Sequence, residues 1–232
     1  MRLDKFLSEC TSWSRKDIKK LVKQGSVTVN SKVAVKSEQQ VFKTDVITID
    51  GEVIEYKKYV YLMLNKPAGY LSAVWDKEKP VVLDLVPEEL LHFNVAPVGR
   101  LDIDTEGLLI LTNDGELNHK LTSPKSDVLK TYFARLDAPA QPEDIEEFKK
   151  GMEFSDFTAK PAVLEITENP CEVYVKVSEG KFHQVKRMCA KVGKNVTYLK
   201  RVKIGGLCLD EDLGTGKIKI LGEEEIRLLF TK

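Results

Sequence analysis

The chain has little of what pins a fold together outside its core. Its 232 residues include four cysteines, at positions 10, 171, 189 and 208, and only three histidines. No two cysteines form a C-x-x-C pair, which excludes a zinc ribbon and a disulfide scaffold and fits a reducing cytoplasm. No glycine-rich dinucleotide fingerprint, no Walker loop and no His/Cys cluster is present, so neither cofactor nor metal is expected. No apolar run approaches the ~20 residues of a membrane span. The opening segment, MRLDKFLSEC, lacks the apolar stretch of a signal peptide. Cytoplasmic residence with no membrane partner is therefore expected. Internal repeats and low-complexity tracts are also lacking. At about 150 residues per domain the length allows one or two domains, long enough to bury a core without staples.

Net charge is lacking too, because 36 Asp plus Glu balance 36 Lys plus Arg. The charges are not evenly spread. Residues 1–36 hold nine basic side chains, among them Arg2, Arg15, Lys16, Lys19 and Lys20, against three acids. Residues 181–203 hold eight basic side chains and no acid. Acids gather in 137–172 and 210–225. Two basic blocks on a neutral chain point to a polyanion gripped at two places, although a charge run by itself is usually a solvated face.

Leu3, Phe6, Leu7 and Cys10 recur at helical spacing, as do Ile18, Leu21 and Val22. Gly25 closes the second helix. Alternation predicts strands over 26–29 and 45–49, with Asn30-Ser31 as a turn. This reads as a helix-helix-strand unit over residues 1–58, ending in a Lys57-Lys58 linker. Residues 59–232 form a second domain. They open on an apolar strand over 59–64 that Asn65-Lys66-Pro67-Ala68-Gly69 interrupts. Further strands are predicted over 94–98, 108–111, 130–136, 162–166, 172–177, 196–204 and 217–221. Helices fit 117–122, 142–150, 183–192 and 223–229. This irregular order favours an α+β fold with a mostly antiparallel sheet.

The stretch richest in chemistry is Gly99-Arg100-Leu101-Asp102-Ile103-Asp104-Thr105-Glu106-Gly107-Leu108. It links two predicted strands, where a rigid scaffold presents reactive groups. Asp102 follows the apolar Leu101 and is expected at a pocket wall, although an isolated aspartate in such a loop more often makes an Asx turn. Two other segments bear on it. Lys130-Thr131-Tyr132 lies in a predicted strand, and Gly180-Lys181-Phe182-His183-Gln184-Val185-Lys186-Arg187-Met188 is a glycine turn leading into a basic helix.

The segments G-R-L-D-x-D-T-E-G-L, K-T-Y and G-K-F-H-Q-V-K-R-M, in this order and at these separations, resemble the pseudouridine synthases. Asn65-Lys66-Pro67-Ala68-Gly69 resembles that family's N-K-P-x-G entry. Residues 1–58 resemble the small RNA-binding domain shared with a small-subunit ribosomal protein, the alpha-L motif. The likeness covers essentially the whole chain.

The resemblance implies that Asp102 is the catalytic aspartate and Tyr132 the active-site tyrosine. A carboxylate serves such a reaction as nucleophile or as base. A tyrosine ring stacks on uracil while its hydroxyl assists proton transfer. Lys186 occupies a position that many relatives fill with arginine, and is expected to pair with Asp102. Leu101 and Val185 are expected to wall the base. Arg100, Lys181 and Arg187 are expected at phosphates, and His183 is expected to hydrogen-bond structurally at the helix start. The H-Q-V-K form resembles the branch acting on 16S small-subunit ribosomal RNA. The expected partner is that RNA, within an assembly particle, and the expected state is a monomer. Two other readings fit the same residues: an enzyme acting on large-subunit 23S or transfer RNA, and a non-catalytic RNA-binding assembly factor. A binder has no reason to keep a carboxylate facing anionic RNA, which favours the enzyme.

Overall fold

The computed structural model describes residues 1–123 and 126–231. They divide into two compact units, Met1–Val60 with Val86–Val95, and Tyr61–Leu85 with Ala96–Lys232.

In the first unit, helices α1 (Leu3–Cys10) and α2 (Arg15–Gln24) each bury one apolar stripe. Leu3, Phe6, Leu7 and Ile18 are buried together with Val27 and Ile47. Burying a side chain of this size contributes about 1.5–3 kcal/mol. The Ser14 hydroxyl caps α2 by accepting from the Asp17 N–H at 3.2 Å. Gly25, at φ 79°, ends it in the left-handed conformation expected of a glycine C-cap. Strands β1 (Val27–Val29), β2 (Lys32–Val33), β3 (Ile47–Ile49) and β4 (Glu52–Val53) form an antiparallel sheet in the order β2-β1-β3-β4. The strands β2 and β4 are unannounced in the sequence because their residues are exposed and show no alternation. A 3₁₀ turn over Glu88–Phe93 also belongs to this unit.

The second unit is built on β5 (Tyr61–Lys66), β6 (Ala96–Pro97), β7 (Glu106–Thr112), β8 (Lys130–Leu136), β9 (Met152–Glu153), β10 (Thr158–Ala159), β11 (Val163–Ile166), β12 (Glu172–Val177), β13 (Val196–Ile204), β14 (Leu207–Cys208) and β15 (Ile218–Ile220). The main sheet runs β11-β12-β8-β13-β7-β5-β15, with β14 paired to β13 and β6 to β7. Among the strand pairs of the described residues only β13–β7 is parallel. The α+β class with a mostly antiparallel, mixed sheet is thus the observed one. Helices α3 (Gly115–Thr122), α4 (Pro142–Lys150), α5 (Gln184–Lys191) and α6 (Glu223–Leu228) complete the unit. One apolar cluster joins Phe148 of α4 and Met188 of α5 to Val173 and Val175 of β12. A second joins Leu117 and Leu121 of α3 to Met63, Leu108 and Ile110.

Three local differences from the sequence reading have clear causes. The strand expected over 94–98 shrinks to Ala96–Pro97, since Asn94 is left-handed at φ 51° and Pro97 has no N–H to give. The first apolar strand runs two residues past Leu64 and stops at Pro67, because Asn65 and Lys66 still pair with Leu108 and Gly107. Helix α5 begins at Gln184 because His183 is left-handed at φ 50°.

Candidate active site

The loop bearing Asp102 is tied down from below. Ser72 makes two bonds to Leu101: its hydroxyl donates to the Leu101 carbonyl at 2.9 Å and accepts from the Leu101 N–H at 3.0 Å. The Gly69 N–H donates to the Ile103 carbonyl at 2.7 Å. Lys66 is fully buried. Its ammonium donates to the carbonyls of Thr105 (2.9 Å), Pro67 (3.0 Å), Asp102 (3.1 Å) and Ile103 (3.3 Å). These carbonyls all turn inward, so the loop backbone wraps a cation. Burial drags the Lys66 ammonium down to about 8. Beyond the loop, Gly107 lets β7 approach β13. At φ 99° a side chain there would be strained, and its Cβ would sit 2.2 Å from the Arg201 carbonyl oxygen.

Asp102 stands on a wall shared by two spaces. The smaller one, of about 60 Å³, is also lined by Leu101, Thr105, Tyr132, His183 and Val185. The larger one, of about 730 Å³, is lined by Leu71, Ile103, Lys181 and Phe182 among others. Arg100 lines both. Two nitrogens flank the carboxylate: His183 Nε2 lies 3.6 Å from Oδ1 and Lys186 Nζ 3.7 Å from Oδ2.

The structure therefore gathers Arg100, Leu101, Asp102, Tyr132, Lys181 and Val185 around one cleft, as the motifs suggested. Lys186 comes close but bonds elsewhere. Its ammonium donates to both oxygens of Asp104, at 2.6 and 2.7 Å. That bond holds the Asp104 carboxyl below the usual carboxylate range. Asp104 is nearer because it lies at the exposed end of the same loop, where a long lysine stem reaches it. His183 differs too. It makes no cap bond to α5; its ring stacks on Phe182 at 3.8 Å and faces Asp102. Arg187, expected at phosphate, points to another partner. Its guanidinium is bonded to Asp156 at 2.5 and 2.9 Å and lies over Phe154 and Phe157. In the first unit Arg2 is likewise engaged, by Asp4 at 2.6 and 3.0 Å, whereas Arg15, Lys16, Lys19 and Lys20 are exposed along α2.

Sequence reasoning passed over two residues here. Arg201 is nearly fully buried; its Nε donates to the Leu108 carbonyl at 2.8 Å and Nη1 lies 3.4 Å from the Tyr132 hydroxyl. Thr105 is buried in the cleft lining and its hydroxyl has no protein partner. The signals were an arginine amid apolar strand residues and the threonine inside the quoted motif.

The RNA pseudouridylate synthase family model matches residues 60–191, and the S4 domain model matches residues 1–47. The chain belongs to the RNA pseudouridylate synthase family. A Bacillus subtilis protein named as an uncharacterized RNA pseudouridine synthase, YtzG, is 43% identical, covering 99% of this chain and 98% of the relative. The ribosomal small subunit pseudouridine synthase A of Escherichia coli K12 is 39% identical over 97% of this chain and 98% of its own length. A solved structure titled as a pseudouridylate synthase superposes with a TM-score of 0.69 at 34% identity, covering 99% of each chain. This pseudouridine synthase is thus an isomerase acting on RNA, with an RNA-binding S4 domain at its N-terminal end. Among the described residues no helix is long and apolar enough to cross a membrane, and no three His, Cys, Asp or Glu side chains converge as a metal site requires.

Proposed function

We propose that this synthase isomerises one uridine of 16S small-subunit ribosomal RNA, within an assembly particle, and that Asp102 is the reacting carboxylate. The observation that carries this reading is the position of Asp102, on the wall shared by the larger space and the smaller one that Tyr132 and Val185 line. The substrate class follows the Escherichia coli relative's name and the H-Q-V-K form of the basic helix.

The target uridine leaves its stack at a cost of a few kcal/mol, so an unpaired region suits it best. Its base enters the smaller cleft against the Tyr132 ring, between the apolar walls of Leu101 and Val185. The bond from ribose C1′ to N1 breaks and one from C1′ to C5 forms. The C5 proton leaves and N1 ends protonated, so nothing is gained or lost overall. Asp102 serves as nucleophile or as base on the sugar, and the Tyr132 hydroxyl assists the C5 proton. Lys186 and His183 place positive or proton-donating nitrogens beside the carboxylate and orient it. Residues 1–58 anchor RNA through α2, and 59–232 perform the chemistry. The protein works as a monomer in the cytoplasm, where ribosomal RNA is assembled.

The experiment is pseudouridine mapping in ribosomal RNA from cells with and without this protein. One site in 16S RNA should disappear with the gene and return with the wild-type chain but not with Asp102→Asn. Loss of a site in 23S or transfer RNA instead would overturn the substrate assignment.

A further inference from the structure

A second cavity, of about 260 Å³, adjoins the Asp102 cleft and shares Arg100, Tyr132, Glu179 and Gly180 with it. Two more cations, Lys130 and Arg201, line this cavity. Among the described residues none of the three cations has a carboxylate within ion-pair distance. Two acids lie nearby, and one of them, Glu179, lines the cavity itself, where the three cations outnumber it. Glu179 accepts from the Lys160 N–H at 2.8 Å and from the Gln184 amide at 3.0 Å. Asp127 pairs with the Lys160 ammonium at 3.0 Å.

We infer that this cavity is a phosphate site: it takes a backbone phosphodiester next to the flipped uridine and holds it on Arg100, Lys130 and Arg201. The inference rests on the RNA isomerase reading above. Three observations carry it. The cavity and the cleft share a wall, so a base in one leaves its backbone within reach of the other. Arg201 is nearly fully buried, and its Nη2 has no acceptor in the protein. An orphan charged donor is costly unless an anion arrives to take it. Lys130 sits on the same strand as Tyr132, two residues away, on the same face. Burial first, and then the nearby Arg201 charge, bring the Lys130 ammonium down to about 8. An anion between the two cations would offset the repulsion between them.

The test uses the full-length protein and a synthetic RNA spanning the mapped uridine, with one backbone linkage at a time replaced by a neutral methylphosphonate. For the wild type, one linkage beside the target should cost about tenfold in apparent affinity when neutralised, as loss of a charge-assisted bond does. Lys130→Gln should show part of that loss already with natural RNA and be less sensitive than the wild type to neutralising the same linkage. Lys130→Arg should regain part of the wild-type response. Arg201 also supports the strand through Leu108, so Arg100→Gln, at an exposed side chain, is the second variant and should lose sensitivity at the same linkage. If every variant responds to each neutral linkage as the wild type does, the cavity holds no phosphate and the inference fails alone. If the wild type forms no pseudouridine in any RNA, the isomerase reading fails and this one with it.

Discussion

Lys186 donates to both carboxylate oxygens of Asp104, at 2.6 and 2.7 Å, two residues beyond the aspartate it was expected to pair with. The ammonium remains 3.7 Å from Asp102, so it sits between the two carboxylates. Asp104 is 65% exposed and Lys186 only 23%, which makes the bond a tether for the lysine more than a source of stability. Asp104→Asn should therefore shift unfolding free energy by less than about 1 kcal/mol. The contribution it does make has a definite sign. The Asp104 carboxyl is lowered in the folded chain, so the bond is complete above the ordinary carboxylate range and fades as pH falls through the lowered value. Lys186→Met should lose far more single-turnover activity than Asp104→Asn. Equal losses in the two variants would show that Lys186 matters only through Asp104.

Asp102→Asn keeps the size of the side chain and removes its charge. RNA binding should persist, measured by filter binding, while pseudouridine formation disappears. Single-turnover product at even a few per cent of the wild-type rate would overturn the assignment of Asp102 as the reacting group.

Lys66→Met should destabilise the second unit by about 3 kcal/mol or more, because four inward-facing carbonyls lose their buried cation. The pH dependence follows from linkage. Lys66 gives up its proton near 8 when folded, whereas an unfolded lysine keeps it to about 10.4. The unfolded chain then binds more protons between those values, so this group makes stability rise with pH there. The wild-type advantage over Lys66→Met in urea titrations should widen from pH 8 to pH 10. A gap that narrows would mean that Lys66 is not desolvated as the structure has it.

Lys16 and Lys19 are exposed on α2, and no salt bridge engages either among the described residues. If both meet phosphates, Lys16→Gln with Lys19→Gln should reduce the slope of log affinity against log salt by about 1.4, at ~0.7 per contact for single-stranded RNA. An unchanged slope would place the RNA on another face of the S4 domain. Arg2→Gln should act differently, lowering stability through Asp4 more than affinity, since that guanidinium is already bonded.

Local chemistry made most elements legible. Helix α4 and strands β8, β12 and β13 lie at the residues predicted for them, because Pro142 marks a helix start and each of the three strands is rich in β-branched and aromatic residues. The two-residue strands β9, β10 and β14 were not legible, since a pair of residues shows no period and is a strand only by virtue of its partner. The 3₁₀ turns at Val82–Leu85 and Glu88–Phe93 escaped because one or two helical turns are too short to show a period.

The sequence by itself determined the chemistry on offer: an aspartate in a G-R-L-D loop, a tyrosine in a strand, and a basic helix after a glycine turn. The residue types and their order carry that information, because each motif is contiguous. Only the tertiary structure decided which groups meet. It paired Lys186 with Asp104, turned His183 toward Asp102, gave Arg187 to Asp156 and buried Arg201 against Leu108. Those outcomes depend on where long flexible side chains reach their nearest opposite charge or carbonyl, and that distance exists only once strands far apart in the chain lie side by side.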